Sequence, residues 1–107
     1  IWLIMASSWL SRKKRLALYH RDTYQCMYCS QYVVTCANRS LKTQHAFMRA
    51  FKNSMATIDH VIPKMDVLVL CCNACNSSKR KDTLESFCSR KGYNSRAIKQ
   101  KIRNVYG

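Results

Sequence analysis

Two Cys-x-x-Cys pairs constrain the fold of this chain more than any other feature of its sequence. They are Cys26-Met27-Tyr28-Cys29 and Cys72-Asn73-Ala74-Cys75, which lie far apart in the chain. The stretch 56–81 around the second pair is too short to form a core by itself, since chains below about 40 residues rarely fold without a metal or disulfides. Two such pairs match the way four thiolates clamp one structural zinc ion. We therefore expect a zinc site made by Cys26, Cys29, Cys72 and Cys75.

The cysteine count argues against a disulfide framework. The chain has seven cysteines, and an odd number in widely separated pairs favours zinc binding in a reducing compartment. We therefore expect an intracellular, cytoplasmic protein. The Cys-x-x-Cys spacing selects Cys72 as the ligand, with Cys71 as the alternative. Cys36, Cys71 and Cys88 are then expected to be small buried apolar groups.

The charge of the chain indicates a polyanionic partner. Nineteen Lys and Arg residues face five acids in 107 residues, a formal charge of +14, which favours nucleic acid over a membrane surface. The apolar opening, residues 1–6, is too short to span a bilayer and lacks the basic region of a secretory signal. For the basic cluster over residues 12–15, the alternative interpretation is a helix face exposed only to solvent. The candidate phosphate-binding residues are Arg12, Lys13, Lys14, Arg15, Lys79, Arg80 and Lys81.

Periodicity and capping residues predict several further elements. We expect a helix over 9–21, a strand-like segment over 31–37, and an amphipathic helix over 40–54 with Ser40 as its N-cap. A last helix is predicted from Asn94-Ser95 to Tyr106, either as an arm that contacts DNA or as a basic helix folded onto the core. Asp22 is expected to bond to local backbone.

The combination and order of these blocks resemble the HNH endonuclease family, in the branch where a four-cysteine zinc site supports the ββα-metal motif. The blocks are residues 24–29, 58–63 and 68–76, with Lys79 after them. The resemblance implies an α+β fold, with a small ββα-metal (His-Me finger) nuclease core, zinc knuckles and flanking helices. It implies a single domain over 1–107, made of a basic helix (1–22), the knuckles and ββα motif (23–81, with an inserted helix over 40–54) and a basic helical arm (82–107).

The resemblance also implies an activity, the metal-dependent hydrolysis of phosphodiester bonds in double-stranded DNA. His60 would be the general base, since imidazole titrates near working pH. Asp59 and Asn76 would hold Mg²⁺ or Mn²⁺, whereas four thiolates leave the zinc ion no open position for water, so that it is structural. Adjacent side chains of a strand point to opposite faces, so Asp59 and His60 share a phosphate only if the strand twists or ends there. Pro63 permits such an irregularity.

Two departures from the family pattern leave alternatives open. The usual middle Asn is replaced by Val67, and the joint over 64–66 is shorter than the family's Gly-rich loop. Either Asp66 or Asn73 braces an abbreviated hairpin, or residues of a longer loop are absent from the sequence. A non-catalytic zinc-ribbon module that binds nucleic acid is the main alternative function, and a partner protein that uses zinc only to fold is a third. A homodimer is also left open, because dimerisation leaves no clear mark in the sequence.

Overall fold

The fold is built on a two-stranded antiparallel sheet followed directly by a helix. The computed structural model describes residues 10–35, 41–62 and 66–107. Within these ranges the helices are α1 (Arg12–Arg21), α2 (Leu41–Ala50), α3 (Asn73–Lys79), α4 (Leu84–Lys91) and α5 (Ser95–Tyr106), and the strands are β1 (Ala56–His60) and β2 (Leu68–Cys72). The chain therefore has an α+β fold, and the order β1-β2-α3 is compatible with the predicted ββα core.

The register of the sheet assigns side chains to its two faces. Asp59 lies opposite Val69 and Thr57 lies opposite Cys71, and directly opposed residues share a face. Cys71 therefore lies on the face that bears Thr57. Successive residues of a strand point to opposite faces, so its neighbour Cys72 lies on the other face, as expected. The hydroxyl of Thr57 donates to the Cys71 carbonyl at 3.0 Å, so this buried polar group has a partner.

Capping side chains set the helix boundaries. The Ser11 side chain accepts from the Lys14 N–H, so α1 begins at Arg12, later than predicted. Asn94 accepts from the Ala97 N–H at 3.1 Å, which confirms the predicted cap of α5. Gly92 ends α4 in the left-handed conformation with φ 73°, which glycine adopts without a steric penalty.

The second predicted helix is shorter than expected. It ends at Ala50, and a 3-10 turn over Lys52–Ser54 leads into β1. The predicted N-cap at residue 40 lies outside the described residues. Met48 is buried, as expected for an amphipathic helix, whereas Phe51, which was expected on the same apolar face, is exposed.

Two sequence expectations are corrected here. Residues 31–35 form isolated bridges, Gln25 to Tyr32 and Val34 to Met55, because the backbone partner changes from Tyr24 at Val33 to Ser54 at Val34. Residues 36 and 37 of the predicted segment lie outside the described residues. The Asp22 carboxylate accepts from the Leu70 N–H of β2 and from the Arg21 side chain, each at 2.8 Å, where a bond to local backbone was expected.

The last helix folds back onto the core. Ile98 and Ile102 of α5 are buried, and the Tyr106 hydroxyl donates to the Leu68 carbonyl at 2.6 Å while accepting from the Leu68 N–H at 2.7 Å. These contacts support the folded-back interpretation of this segment.

Two of the three cysteines outside the Cys-x-x-Cys pairs lie in the described part of the chain. Cys71 and Cys88 are buried in the core, as expected, whereas Cys36 lies outside the described residues. Among the described helices, none has the length and apolar character needed to cross a membrane.

Candidate metal centre and active site

The four cysteines predicted to bind zinc lie together. The sulfur atoms of Cys26, Cys29, Cys72 and Cys75 are all within 4.8 Å of one another. Zinc–sulfur bonds of about 2.3 Å in a tetrahedron place the sulfurs about 3.8 Å apart. The Sγ atoms of Cys29 and Cys72 are 3.9 Å apart. The group therefore fits a tetrahedral metal ion such as zinc.

The surroundings of the four thiols lower the pKa of one cysteine and raise the pKa of another. The backbone N–H groups of Cys29 and Cys75 point at the sulfurs of Cys26 and Cys72, each at 3.4 Å. Hydrogen bonds from the Cys26 and Cys75 thiols and the Cys75 N–H lower the pKa of Cys72 to about 4, whereas hydrogen bonds with Cys26 and Cys72 raise the pKa of Cys75. Closely packed thiols resist joint ionisation without a cation, and a bound metal removes that resistance.

The metal centre joins two distant parts of the chain. Cys26 and Cys29 belong to the turn after α1, Cys72 ends β2, and Cys75 lies in the first turn of α3. The Met27 N–H donates to the Leu70 carbonyl at 2.9 Å, so the turn is also bonded to β2. A metal held here would fix the start of α3 against the first knuckle.

A second polar cluster surrounds Asp59. Its Oδ2 accepts from the Tyr28 hydroxyl at 2.7 Å and lies 3.0 Å from Lys79 Nζ, with side-chain exposures of 0% for Lys79 and 9% for Asp59. The Lys79 ammonium also donates to the His60 carbonyl at 3.1 Å. Burial, and then the neighbouring Asp59 charge, raise the pKa of Tyr28, so its hydroxyl stays protonated and donates. The cluster thus links a zinc knuckle, the end of β1 and the end of α3.

The other two predicted catalytic residues belong to the elements that this cluster joins. His60 is half-buried and is the last residue of β1, so the strand ends where the sequence required an irregularity. Asn76 is half-buried on α3, three residues before Lys79. Helical residues three apart are neighbours on one face, so Asn76 lies on the side of α3 from which Lys79 reaches Asp59.

The predicted phosphate-binding cations separate into two groups. Arg12, Lys13, Lys14, Arg80 and Lys81 are exposed and Arg15 is half-buried. Lys79 is fully buried and paired with Asp59. This placement corrects the assignment of Lys79 to a phosphate, whereas the same assignment of the other six stays a prediction.

Comparison of the chain with models of protein families, with curated proteins and with solved structures finds no match. The function of the chain must therefore be inferred from the chemistry of these two clusters.

Sequence reasoning missed two members of the Asp59 cluster. Tyr28 lies between the cysteines of the first knuckle, where its partner 31 residues away leaves no local signal. The charge of Lys79 predicted a contact with phosphate. Burial of a lysine depends on tertiary packing, which the periodicity of a sequence does not reveal. The sequence contained one signal for such a partner. Asp59 is a carboxylate within an apolar strand, and a buried charge is normally paired with an opposite charge.

Proposed function

We propose that this chain is a metal-dependent DNA endonuclease of the HNH type, in which zinc bound by the four cysteines is structural. The observation that carries the proposal is the position of Asp59 and His60 at the end of β1, beside the face of α3 that bears Asn76 and Lys79. One carboxylate, one amide and one imidazole on adjoining elements suit the hydrolysis of a phosphodiester.

The donor set suits a hard divalent cation. Asp59 and Asn76 would supply carboxylate and amide oxygens, the ligands that Mg²⁺ and Mn²⁺ prefer. When bound, such an ion neutralises charge on the phosphate and on the leaving oxygen.

The protein residues have separate roles in the proposed reaction. His60 accepts the proton of the attacking water, a role worth about 10²- to 10⁴-fold in rate. The exposed cations Arg80 and Lys81 follow α3 directly and bind backbone phosphates, in keeping with the charge of +14. The cysteine cluster sets the position of α3, and so of Asn76, relative to β1.

Plasmid relaxation tests the proposal. Wild-type protein is compared with His60→Ala in Mg²⁺ or Mn²⁺, and with His20→Ala as a control, because His20 is exposed on α1 and has no assigned role in the reaction. We expect cleavage by wild type and His20→Ala and a loss of about 10² or more for His60→Ala. Equal cleavage by all three proteins would contradict the assignment of His60 as the general base. If wild type does not cleave with any divalent ion, the proposed nuclease activity is wrong.

A non-catalytic nucleic-acid-binding module is the second candidate. It is favoured by the ion pair that Lys79 forms with the carboxylate proposed to bind the divalent cation. This candidate predicts no cleavage, yet a DNA affinity that falls with salt by about 0.9 in log-log slope for each phosphate contacted. Anisotropy titrations at several salt concentrations, run beside the plasmid assay, distinguish the two candidates.

A further inference from the structure

Lys79 and Lys81 are the same residue type two positions apart, yet their environments differ completely. Lys81 is exposed. Lys79 has no exposed surface, and its ammonium lies between Asp59 Oδ2 and the His60 carbonyl. A buried lysine that makes an ion pair and a hydrogen bond within the protein cannot also bind a phosphate outside it. Its role must therefore be internal to the site.

The contacts of Lys79 bear on both residues proposed to act in catalysis. The ammonium and the Tyr28 hydroxyl both use Oδ2 of Asp59, which fixes the plane of the carboxylate. The second bond, to the His60 carbonyl, ties the last residue of β1 to the last residue of α3. Three residues earlier the same helix carries Asn76, so movement of Lys79 would change the spacing of all three groups.

We propose that Lys79 is a positioning residue of the site, a buried ammonium that holds Asp59 by Oδ2, presents Oδ1 to the divalent cation and fastens His60 to α3. This inference rests on the proposed nuclease function. It assigns to Lys79 and Tyr28 a role without contact to the substrate. A misplacement of about 1 Å in such a site lowers the rate by about 10²-fold.

The test compares Lys79→Met with Lys81→Met. Both substitutions remove one positive charge and leave a side chain of similar length, so they have the same effect on net charge. Zinc content per chain and thermal unfolding establish that each variant is folded. The kinetic readouts are kcat and KM for plasmid cleavage in Mg²⁺, and the binding readout is DNA affinity in buffer without added divalent ions.

We expect Lys79→Met to lower kcat by about 10²-fold with DNA affinity unchanged. Lys81→Met should instead weaken DNA binding and raise KM. Unchanged kcat in Lys79→Met, or a loss of DNA affinity equal to that of Lys81→Met, would overturn the positioning role while leaving the nuclease intact. Absence of cleavage by the wild type would instead overturn the proposed function and this inference with it.

Tyr28→Phe serves as the second variant if Lys79→Met does not fold. It removes one hydroxyl and the 2.7 Å hydrogen bond to Oδ2 while keeping the ring that contacts Phe87. We expect a smaller fall in kcat, about tenfold, because one of the two hydrogen bonds to Oδ2 is lost while Lys79 keeps the other. DNA affinity should be unchanged, and an unchanged kcat would overturn the proposal.

Discussion

Arg80 adopts backbone angles that L-amino acids rarely occupy. Its φ is 51° and its ψ is −120° at the end of α3, a conformation that costs about 1–3 kcal/mol for a residue with a Cβ atom. Its neighbours hold it there: the Arg80 N–H donates to the Asn76 carbonyl and the Asp82 N–H donates to the Lys79 carbonyl. The strained residue therefore lies directly after Lys79 of the Asp59 cluster, where the chain leaves α3.

Replacing Arg80 with glycine should stabilise the protein. We expect Arg80→Gly to raise the free energy of unfolding by about 1 kcal/mol, since the relief of strain exceeds the entropy that glycine adds to the unfolded chain. Arg80→Ala is the control, because it removes the same guanidinium but keeps the Cβ atom. Urea denaturation of the zinc-loaded proteins measures both. A gain in Arg80→Ala equal to that in Arg80→Gly would attribute the effect to charge rather than to strain.

At the scale of elements, the outer edge of β2 is covered by groups from three other parts of the chain. The Leu70 N–H donates to Asp22, the Leu70 carbonyl accepts from the Met27 N–H, and Tyr106 bonds both backbone groups of Leu68. An exposed strand edge is a template for unwanted pairing. Helices α1 and α5 thus complete a sheet that has only two strands in the described part of the chain.

Asp22 should be the most sensitive of these edge contacts. Its side chain is fully buried, pairs with Arg21 at 2.8 Å and accepts from the Leu70 N–H. We expect Asp22→Ala to lower the free energy of unfolding by about 3 kcal/mol, because it leaves a buried N–H without a partner and breaks a partly buried ion pair.

Asp82→Ala is the matched control for Asp22→Ala. It removes the partner of Arg90 in an ion pair that is nearly half exposed on both sides, and such pairs contribute less than about 1 kcal/mol. Urea denaturation of the two variants gives the comparison. Equal losses would show that the buried position of Asp22 has no special importance.

At the scale of the whole molecule, the cysteine cluster joins segments that are distant in sequence. Cys26 and Cys29 follow α1, whereas Cys72 and Cys75 lie where β2 meets α3. A core of this size gives limited stability, and the binding free energy of a structural zinc ion is also folding free energy. Fold and metal content should therefore be lost together.

Removal of one ligand tests this coupling. We expect Cys29→Ser to lose most bound zinc and the cooperative thermal transition. Cys88→Ala is the control and should retain one zinc per chain, since Cys88 is buried but is not one of the four clustered cysteines. Zinc content is measured by elemental analysis and folding by circular dichroism. A strong chelator should have the same effect on wild type as Cys29→Ser. A folded, zinc-free Cys29→Ser protein would contradict the coupling.

Local sequence determined the two cysteine pairs and the bounds of α5. The Cys-x-x-Cys spacing identified the four sulfurs, and Asn94 marked the start of α5, because ligand spacing and capping act over three or four residues. Such signals are readable without knowledge of the fold. The HNH resemblance and the catalytic roles of Asp59, His60 and Asn76 stay predictions.

Only the tertiary structure decided which charges are buried and what they contact. Tyr28 meets Asp59, Lys79 meets the His60 carbonyl, and Asp22 reaches Leu70, each across many residues. These contacts depend on how the elements pack, and a lysine in a basic stretch is identical in sequence whether it faces solvent or a carboxylate. The burial of a charge is set by the availability of a partner and by the exclusion of water, and both arise only when distant segments come together.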